Sequence, residues 1–154
     1  MRVLFMTDIS FYHLERSLLE AALPELLEKT LEAGMRALVL ARSDAQVEAL
    51  SDALWAYKSE SWLPHGTPKD GFADLQPVWL STLDENANGS SFLFLTNGVT
   101  SDNIGLYQRC FVLFDGNDPV SVTTARQRWK VYKEAEHKLA YFQQNSSSGW
   151  SKKS

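Results

Sequence analysis

The chain has 154 residues, of which 44% are hydrophobic and 22% charged, and carries a net charge of −4 at pH 7. A chain of this length buries roughly two thirds of its unfolded surface, so one globular domain is expected, and the composition excludes an intrinsically disordered chain. The acidic balance argues against broad, nonspecific affinity for DNA or anionic membrane. No apolar run approaches the roughly 20 residues of a membrane-spanning helix. The stretch before Asp8 is too short for a signal peptide, so a cytoplasmic location is expected. The single cysteine, Cys110, allows neither an internal disulfide nor a cysteine-based zinc site and reads as a small buried hydrophobe.

In chain order, the apolar run Val3 to Met6 suits a buried strand that stops at Thr7 and Asp8. Leu14 to Ala33 has helical spacing, with Leu18, Ala22 and Leu26 on one line and Leu23, Leu27 and Leu31 beside it. Pro24 breaks the interior of that helix or begins a second segment, and Gly34 suits its C-terminal cap. Ala37 to Ala41 reads as a second strand. Ser43 can cap a helix from Asp44 to about Tyr57 whose buried stripe is Val47, Leu50 and Leu54. The prolines and glycines between Ser59 and Ala73 indicate a surface loop. Pro77 to Thr82 and Ser91 to Thr96 are strands, and the polar Asp84-Glu-Asn-Ala-Asn-Gly89 between them permits a hairpin. Ser101 to Tyr107 is a short helix or turn before the strand Cys110 to Asp115. After a turn at Gly116 and Asn117, the segment from Asp118 to about Gln144 reads as one long helix. This alternation predicts an α/β fold: a single three-layer domain over residues 1–144, with a central largely parallel or mixed sheet and helices on both faces. Residues 145–154 lack periodicity and read as a flexible tail. No internal repeat is present.

Motifs for enzymatic chemistry are scarce. Neither Gly-x-Gly-x-x-Gly after the first strand nor a Gly-x4-Gly-Lys-Ser/Thr phosphate loop occurs, and the Gly-x-Ser-x-Gly nucleophile turn is missing. His13, His65 and His137 show no metal-ligand spacing, so neither a metal nor a cofactor is expected. The apolar strand ending in Asp115 leaves one enzymatic alternative, a metal-dependent hydrolase or phosphoryl-transfer protein using Asp115 and Asp118. Against it, Asp118 followed by Pro119 is good helix-start chemistry.

Two features stand out. On the long helix, Ala125, Tyr132, Ala135, Leu139 and Phe142 gather on one side as a core face. Arg126, Lys130, Lys133 and His137 lie opposite, with Trp129 at the edge; Arg128 falls near the core and is expected to snorkel or pair internally. The outer face is either a solvated basic surface or a receptor in which Arg126, with Lys130 nearby, grips a carboxylate through its bidentate fork while Trp129 receives a side chain. The second feature is Leu54-Trp-Ala-Tyr-Lys-Ser-Glu-Ser-Trp-Leu-Pro-His65. It places Trp55 and Trp62 off the main core, either packed under the loop or as anchors of a protein interface.

Taken together, Leu54-Trp55, Trp62-Leu-Pro-His65, the strand Phe111 to Asp115 and Ala125-Arg-Gln-Arg-Trp-Lys-Val-Tyr132 resemble the chi subunit family of bacterial DNA polymerase III, in the same order over nearly the whole chain. The resemblance implies a noncatalytic accessory subunit of the clamp-loader assembly, joined to it through the psi subunit and binding the acidic C-terminal tail of single-stranded DNA-binding protein. Nucleic acid would then be contacted only indirectly. It implies that Arg126 receives the tail's terminal carboxylate beside Trp129, that Lys130 and Lys133 surround it, and that Trp55 and Trp62 face psi or an equivalent partner. Val122 stands where the family can carry a lysine, which reduces attraction for the acidic part of the tail. A third reading, direct single-strand binding through Trp129 and the lysines, predicts tight association with bare oligonucleotide.

Overall fold

The computed structural model describes residues 6–15, 17–57, 63–145 and 149–154. Among the described residues, seven strands and three α-helices follow one another as β1 (Asp8–Leu14), α1 (Leu19–Glu32), β2 (Ala37–Leu40), α2 (Asp44–Ala56), β3 (Val78–Ser81), β4 (Phe92–Thr96), β5 (Arg109–Asp115), α3 (Pro119–Glu134), β6 (Lys138–Gln144) and β7 (Trp150–Lys152). The strands form one sheet in the order β3-β2-β4-β5-β1-β6-β7, parallel throughout except for antiparallel β7 at the edge.

Strand alternation divides the core between two faces. Tyr12, Val39, Leu80, Phe94 and Phe111 point toward α1 and α2, where Leu23, Leu27, Leu50 and Leu54 meet them. Ile9, Phe11, Leu38, Leu93, Cys110 and Val112 point to the other side, toward Ala125 and Tyr132 of α3. The expected three layers are therefore present, and each parallel strand between helices is apolar on both sides, as such sheets require. Cys110 is fully buried, and burial pushes its thiol pKa up.

Several expectations fail in informative ways. The first described strand is Asp8–Leu14; of the strand expected at Val3 to Met6, Val3 to Phe5 fall outside the described residues, and Met6 is 70% exposed. The interior Ser10 and His13 disguised a central strand, which pairs with β5 on one side and β6 on the other. The helix starts later than Leu14, with Leu18 as an exposed N-cap, and it passes through Pro24 without breaking, because its buried leucines outweigh one missing hydrogen bond. The polar turn between β3 and β4 does not make a hairpin, since β2 lies between those strands and pairs parallel with both. Its Asn88 is instead buried, donating to the carbonyls of Ala37 and Gln76 at 3.1 and 2.9 Å. By contrast, Ser43 caps α2 through Gln46 N–H, and Val47, Leu50 and Leu54 are its buried residues, as read from the sequence.

The largest correction concerns the long helix. α3 ends at Glu134, and residues 138–144 form β6. The C-terminal end is a Schellman turn in which Glu136 N–H donates to Lys133 O and His137 N–H to Tyr132 O, with Glu136 in the left-handed region at φ 66°. α1 ends in the same pattern with Gly34 at φ 75°. There the glycine signalled the stop; at Glu136 no glycine does, and Leu139 and Phe142 happen to continue the helical stripe. Leu139 and Phe142 are thus strand residues on opposite faces, and Ala135 is exposed. Within the stretch after Gln144, Trp150–Lys152 pair with β6 and the Trp150 ring stands edge-on to Tyr12 at 4.9 Å.

A non-glycine residue in the left-handed region costs about 1 kcal/mol or more. Glu136→Gly is therefore expected to raise the urea midpoint by an amount corresponding to about 1 kcal/mol. A continuous helix would instead lose about 1 kcal/mol on the same substitution, so a lowered midpoint contradicts the turn.

Candidate functional site

The C-terminal ends of β4 and β5 open onto a crevice of about 420 Å³ lined by Asn97, Gly98, Asp115, Asp118, Ser121 and Arg128, among others. Ligands of doubly wound sheets bind in such places, so the two acids need an account. Asp115 Oδ1 accepts from Asn117 N–H at 2.9 Å, closing the turn. Asp118 is the N-cap of α3: its Oδ1 accepts from Val120 N–H at 3.3 Å and its Oδ2 from the Ser121 hydroxyl at 2.7 Å, while Pro119 occupies the first helical position. The Ser121 hydrogen bond is the main reason that the Asp118 carboxyl lies below its usual pKa. Among the described residues, no group of three or more His, Cys, Asp or Glu side chains could hold a metal ion. Arg128 turns inward, its guanidinium donating to the Val99 carbonyl at 3.1 Å and to that of Gly98.

The outer side of α3 is different. Arg126, Lys130 and Lys133 are exposed, while Trp129 and Val122 are half-buried and pack on the Phe11 side of the core. At 100° per residue these five positions fall within one helical face. The Trp129 ring meets Phe11 edge-on at 5.4 Å and Tyr141 of β6 edge-on at 6.0 Å. Tyr141 is itself stacked on Phe11 at 6.4 Å. Burial raises the Tyr141 pKa, and the nearby Arg126 charge opposes that rise. The result is an aromatic ledge between α3 and β6 with a free-standing cation at its margin. His137 is not part of this face, because it follows the Schellman turn; its Nδ1 accepts from Thr7 N–H at 3.1 Å, and burial lowers its pKa.

Tyr141 was not among the residues read from the sequence. With residues 138–144 taken as helix, it had no fixed relation to Trp129; on a strand, Leu139 and Tyr141 both turn toward α3. His13, which shows no metal-ligand spacing in the sequence, has its Nδ1 2.6 Å from the Tyr141 hydroxyl.

On the opposite side of the sheet, Trp55 projects from the last turn of α2 and is 62% exposed. Its ring lies 4.6 Å from that of His65. The His65 imidazole is buried and held by Ser51 Oγ at 2.9 Å and the Leu63 carbonyl at 2.8 Å, which gives Trp55 a rigid neighbour. Trp62 lies outside the described residues. The Trp55 region and the Arg126 face belong to helices on different sides of the sheet.

The role of Asp118 is testable through stability. Asp118→Ala is expected to cost about 1 kcal/mol in denaturant unfolding, whereas Asp118→Asn, an equally good cap, costs little. Equal losses in both variants would show that the carboxylate charge rather than the cap is what matters.

Residues 6–140 match the family described as DNA polymerase III chi subunit, HolC. The chain is also 24% identical over 155 residues to the "Probable DNA polymerase III subunit chi" of Rickettsia prowazekii (strain Madrid E), a match covering 96% of this chain and 93% of that one. No described helix is long and apolar enough to cross a membrane. With all of α3 and most of the sheet inside the matched region, the chain belongs to the DNA polymerase III chi subunit family, accessory subunits of the DNA replication machinery.

Proposed function

We propose that this chain is a bridging subunit with two protein-binding surfaces, the Arg126 face for the acidic C-terminal tail of single-stranded DNA-binding protein and the Trp55 surface for psi or an equivalent partner that ties it to the clamp loader. The observation that carries the reading is the pairing of an exposed guanidinium, Arg126, with the half-buried Trp129–Tyr141 ledge on the same side of the domain. A tail that is acidic and ends in phenylalanine needs a cation for its carboxylate and an apolar surface for its ring. Arg126 supplies the first through a fixed fork of donors, and Trp129 and Tyr141 supply the second with little side-chain freedom left to lose.

Lys130 and Lys133 act at longer range, raising the encounter rate with an acidic partner, so binding weakens as salt rises. Val122 adds apolar area where a lysine would add charge, which shifts the balance of affinity toward the ring and the terminal carboxylate. A chain of net charge −4 is suited to engaging the protein that coats single strands, whereas the nucleic acid itself would demand an extended basic surface. Trp55, large and exposed beside an immobilised imidazole, has the character of an interface anchor.

Titration of a labelled acidic peptide ending in phenylalanine tests the tail surface. Arg126→Ala is expected to weaken binding by about 2 kcal/mol or more, roughly thirtyfold in Kd. Unchanged affinity removes Arg126 from the site. Trp55→Ala is expected to leave that titration unaltered while abolishing capture of the clamp-loader partner, and retention of the partner by this variant would remove Trp55 from the second surface.

A further inference from the structure

Among the described residues three arginines are half-buried: Arg36, Arg109 and Arg128. A guanidinium partly withdrawn from water needs partners for its donors. Arg36 has them in the carbonyls of Asp74 and Asn88, at 2.7 and 2.9 Å, and Arg128 in those of Gly98 and Val99. The Arg109 guanidinium makes no hydrogen bond or ion pair with any described residue. It rests on two rings instead, 4.6 Å from the Phe111 centroid and 5.5 Å from that of Phe92.

Arg109 lines a cavity of about 290 Å³ between α1 and the sheet, on the side away from the Arg126 face. The cavity has an aromatic floor. Tyr12 is stacked on Phe142 at 5.1 Å and on Phe111 at 5.9 Å, and Trp150 stands edge-on to Tyr12. Lys29, exposed on α1, is a second cation of the lining. Of the hydroxyls there, that of Thr30 donates to the Leu26 carbonyl at 2.9 Å, whereas that of Tyr12 has no described partner. Burial raises the Tyr12 pKa, and the Arg109 charge opposes that rise. No described Asp or Glu lines the cavity, and none occurs in residues 1–5 or 146–148, which adjoin β1 and β7 in sequence. Asp8 stands beside Arg109 in the register, and Glu25 and Glu32 lie within a turn of Lys29. None of these acids pairs with either cation.

Uncommitted donors of one sign above an aromatic floor select a ligand that is negative at one end and flat and apolar at the other. The planar fork of Arg109 suits a carboxylate, and the Tyr12 hydroxyl adds a further donor. A ring gains contact with Phe142 and Trp150 at little cost in freedom. A nucleobase fits less well, because its polar edge would face walls that carry no side-chain amide or carboxylate. The volume lies near the lower limit for ligand pockets, roughly 300 Å³, and admits one ring with its head group.

We propose that this cavity is a second ligand site, which takes an aromatic carboxylate with its ring on Tyr12, Phe142 and Trp150 and its charge on Arg109 and Lys29. That chemistry is offered by a small free acid or by the last residue of a chain ending in phenylalanine. The site is separate from the tail surface, since Arg126 belongs to the other side of the sheet.

The test follows the Trp150 indole and Arg109 Nε resonances of the nitrogen-15-labelled full chain during titration with 3-phenylpropionate, the free form, and with an acidic peptide ending in phenylalanine. Saturating shifts at both positions are expected, unchanged for 3-phenylpropionate in Arg126→Ala. Arg109→Gln is expected to raise the Kd roughly tenfold, the scale of a hydrogen bond to a charged group. Lys29→Gln, at an exposed position, raises it roughly threefold. Thermal unfolding checks that each variant is folded, and Lys29→Gln decides if Arg109→Gln is not. The peptide is titrated into Arg126→Ala to remove the cation of the tail surface. A Trp150 shift there assigns the site to a chain terminus, and a shift with 3-phenylpropionate alone assigns it to a free acid. A Trp150 resonance unmoved by both probes overturns the proposal. So do shifts confined to Trp129 that vanish in Arg126→Ala, or an unchanged Kd in the deciding variant.

Discussion

The left-handed turn at Glu136 is the constraint on which the rest of the structure depends. It ends α3 one turn after Tyr132 and reverses the chain. Residues 138–144 then lie parallel to β1, in a register that sets Tyr141 opposite Phe11. Without that reversal Trp129 would lose Tyr141 and keep only Phe11 as an aromatic neighbour on the sheet, and β1 would have an unpaired edge. A conformation that costs about 1 kcal/mol is offset by six further residues of parallel ladder and by the aromatic contacts of Tyr141 and Phe142.

From that turn follows the division of labour on α3. Its core face needs only Ala125 and Tyr132 to be buried; the inward Arg128 tethers the helix to the Gly98–Val99 loop through backbone carbonyls. The outer side is thereby left to cations and one half-buried indole. Arg126 differs from Arg128 in having its guanidinium at the surface, near a ledge that is already fixed by Phe11 below it. A pre-organised aromatic floor and a cation at its edge suit an extended ligand with an apolar end and a negative terminus, which is the chemistry proposed for the tail.

Much of this was legible in the chain itself. Ser43 with Val47, Leu50 and Leu54, Gly34 after α1, and Asp118-Pro119 before α3 each carry local chemistry that leaves little alternative, and the structure uses each in the expected way. What could not be read has a common cause. Glu136 stops a helix without glycine, Pro24 fails to stop one, and Ser10 and His13 sit inside a central strand; in each case tertiary burial overrides a local signal. The Asn88 turn has a hairpin's local chemistry, but the Asn88 amide also donates to the carbonyls of Ala37 in β2 and of Gln76 ahead of β3, contacts distant in sequence that no local pattern shows. The candidate site inherited the same error. Its α3 half was readable from helical spacing, but Tyr141 and His13 enter only through pairing between β1 and β6, 128 residues apart in sequence for the His13–Tyr141 hydrogen bond.

The central claim, that the groove between α3 and β6 receives an acidic, phenylalanine-terminated tail, is tested most directly by mapping amide, indole and imidazole resonances while such a peptide is added to the folded chain. The account predicts saturating shifts at Arg126, the Trp129 indole, Tyr141 and His13, with Trp55 and His65 undisturbed. Shifts centred on Trp55, or on the Asp115 and Asp118 crevice with the α3–β6 groove silent, would contradict it.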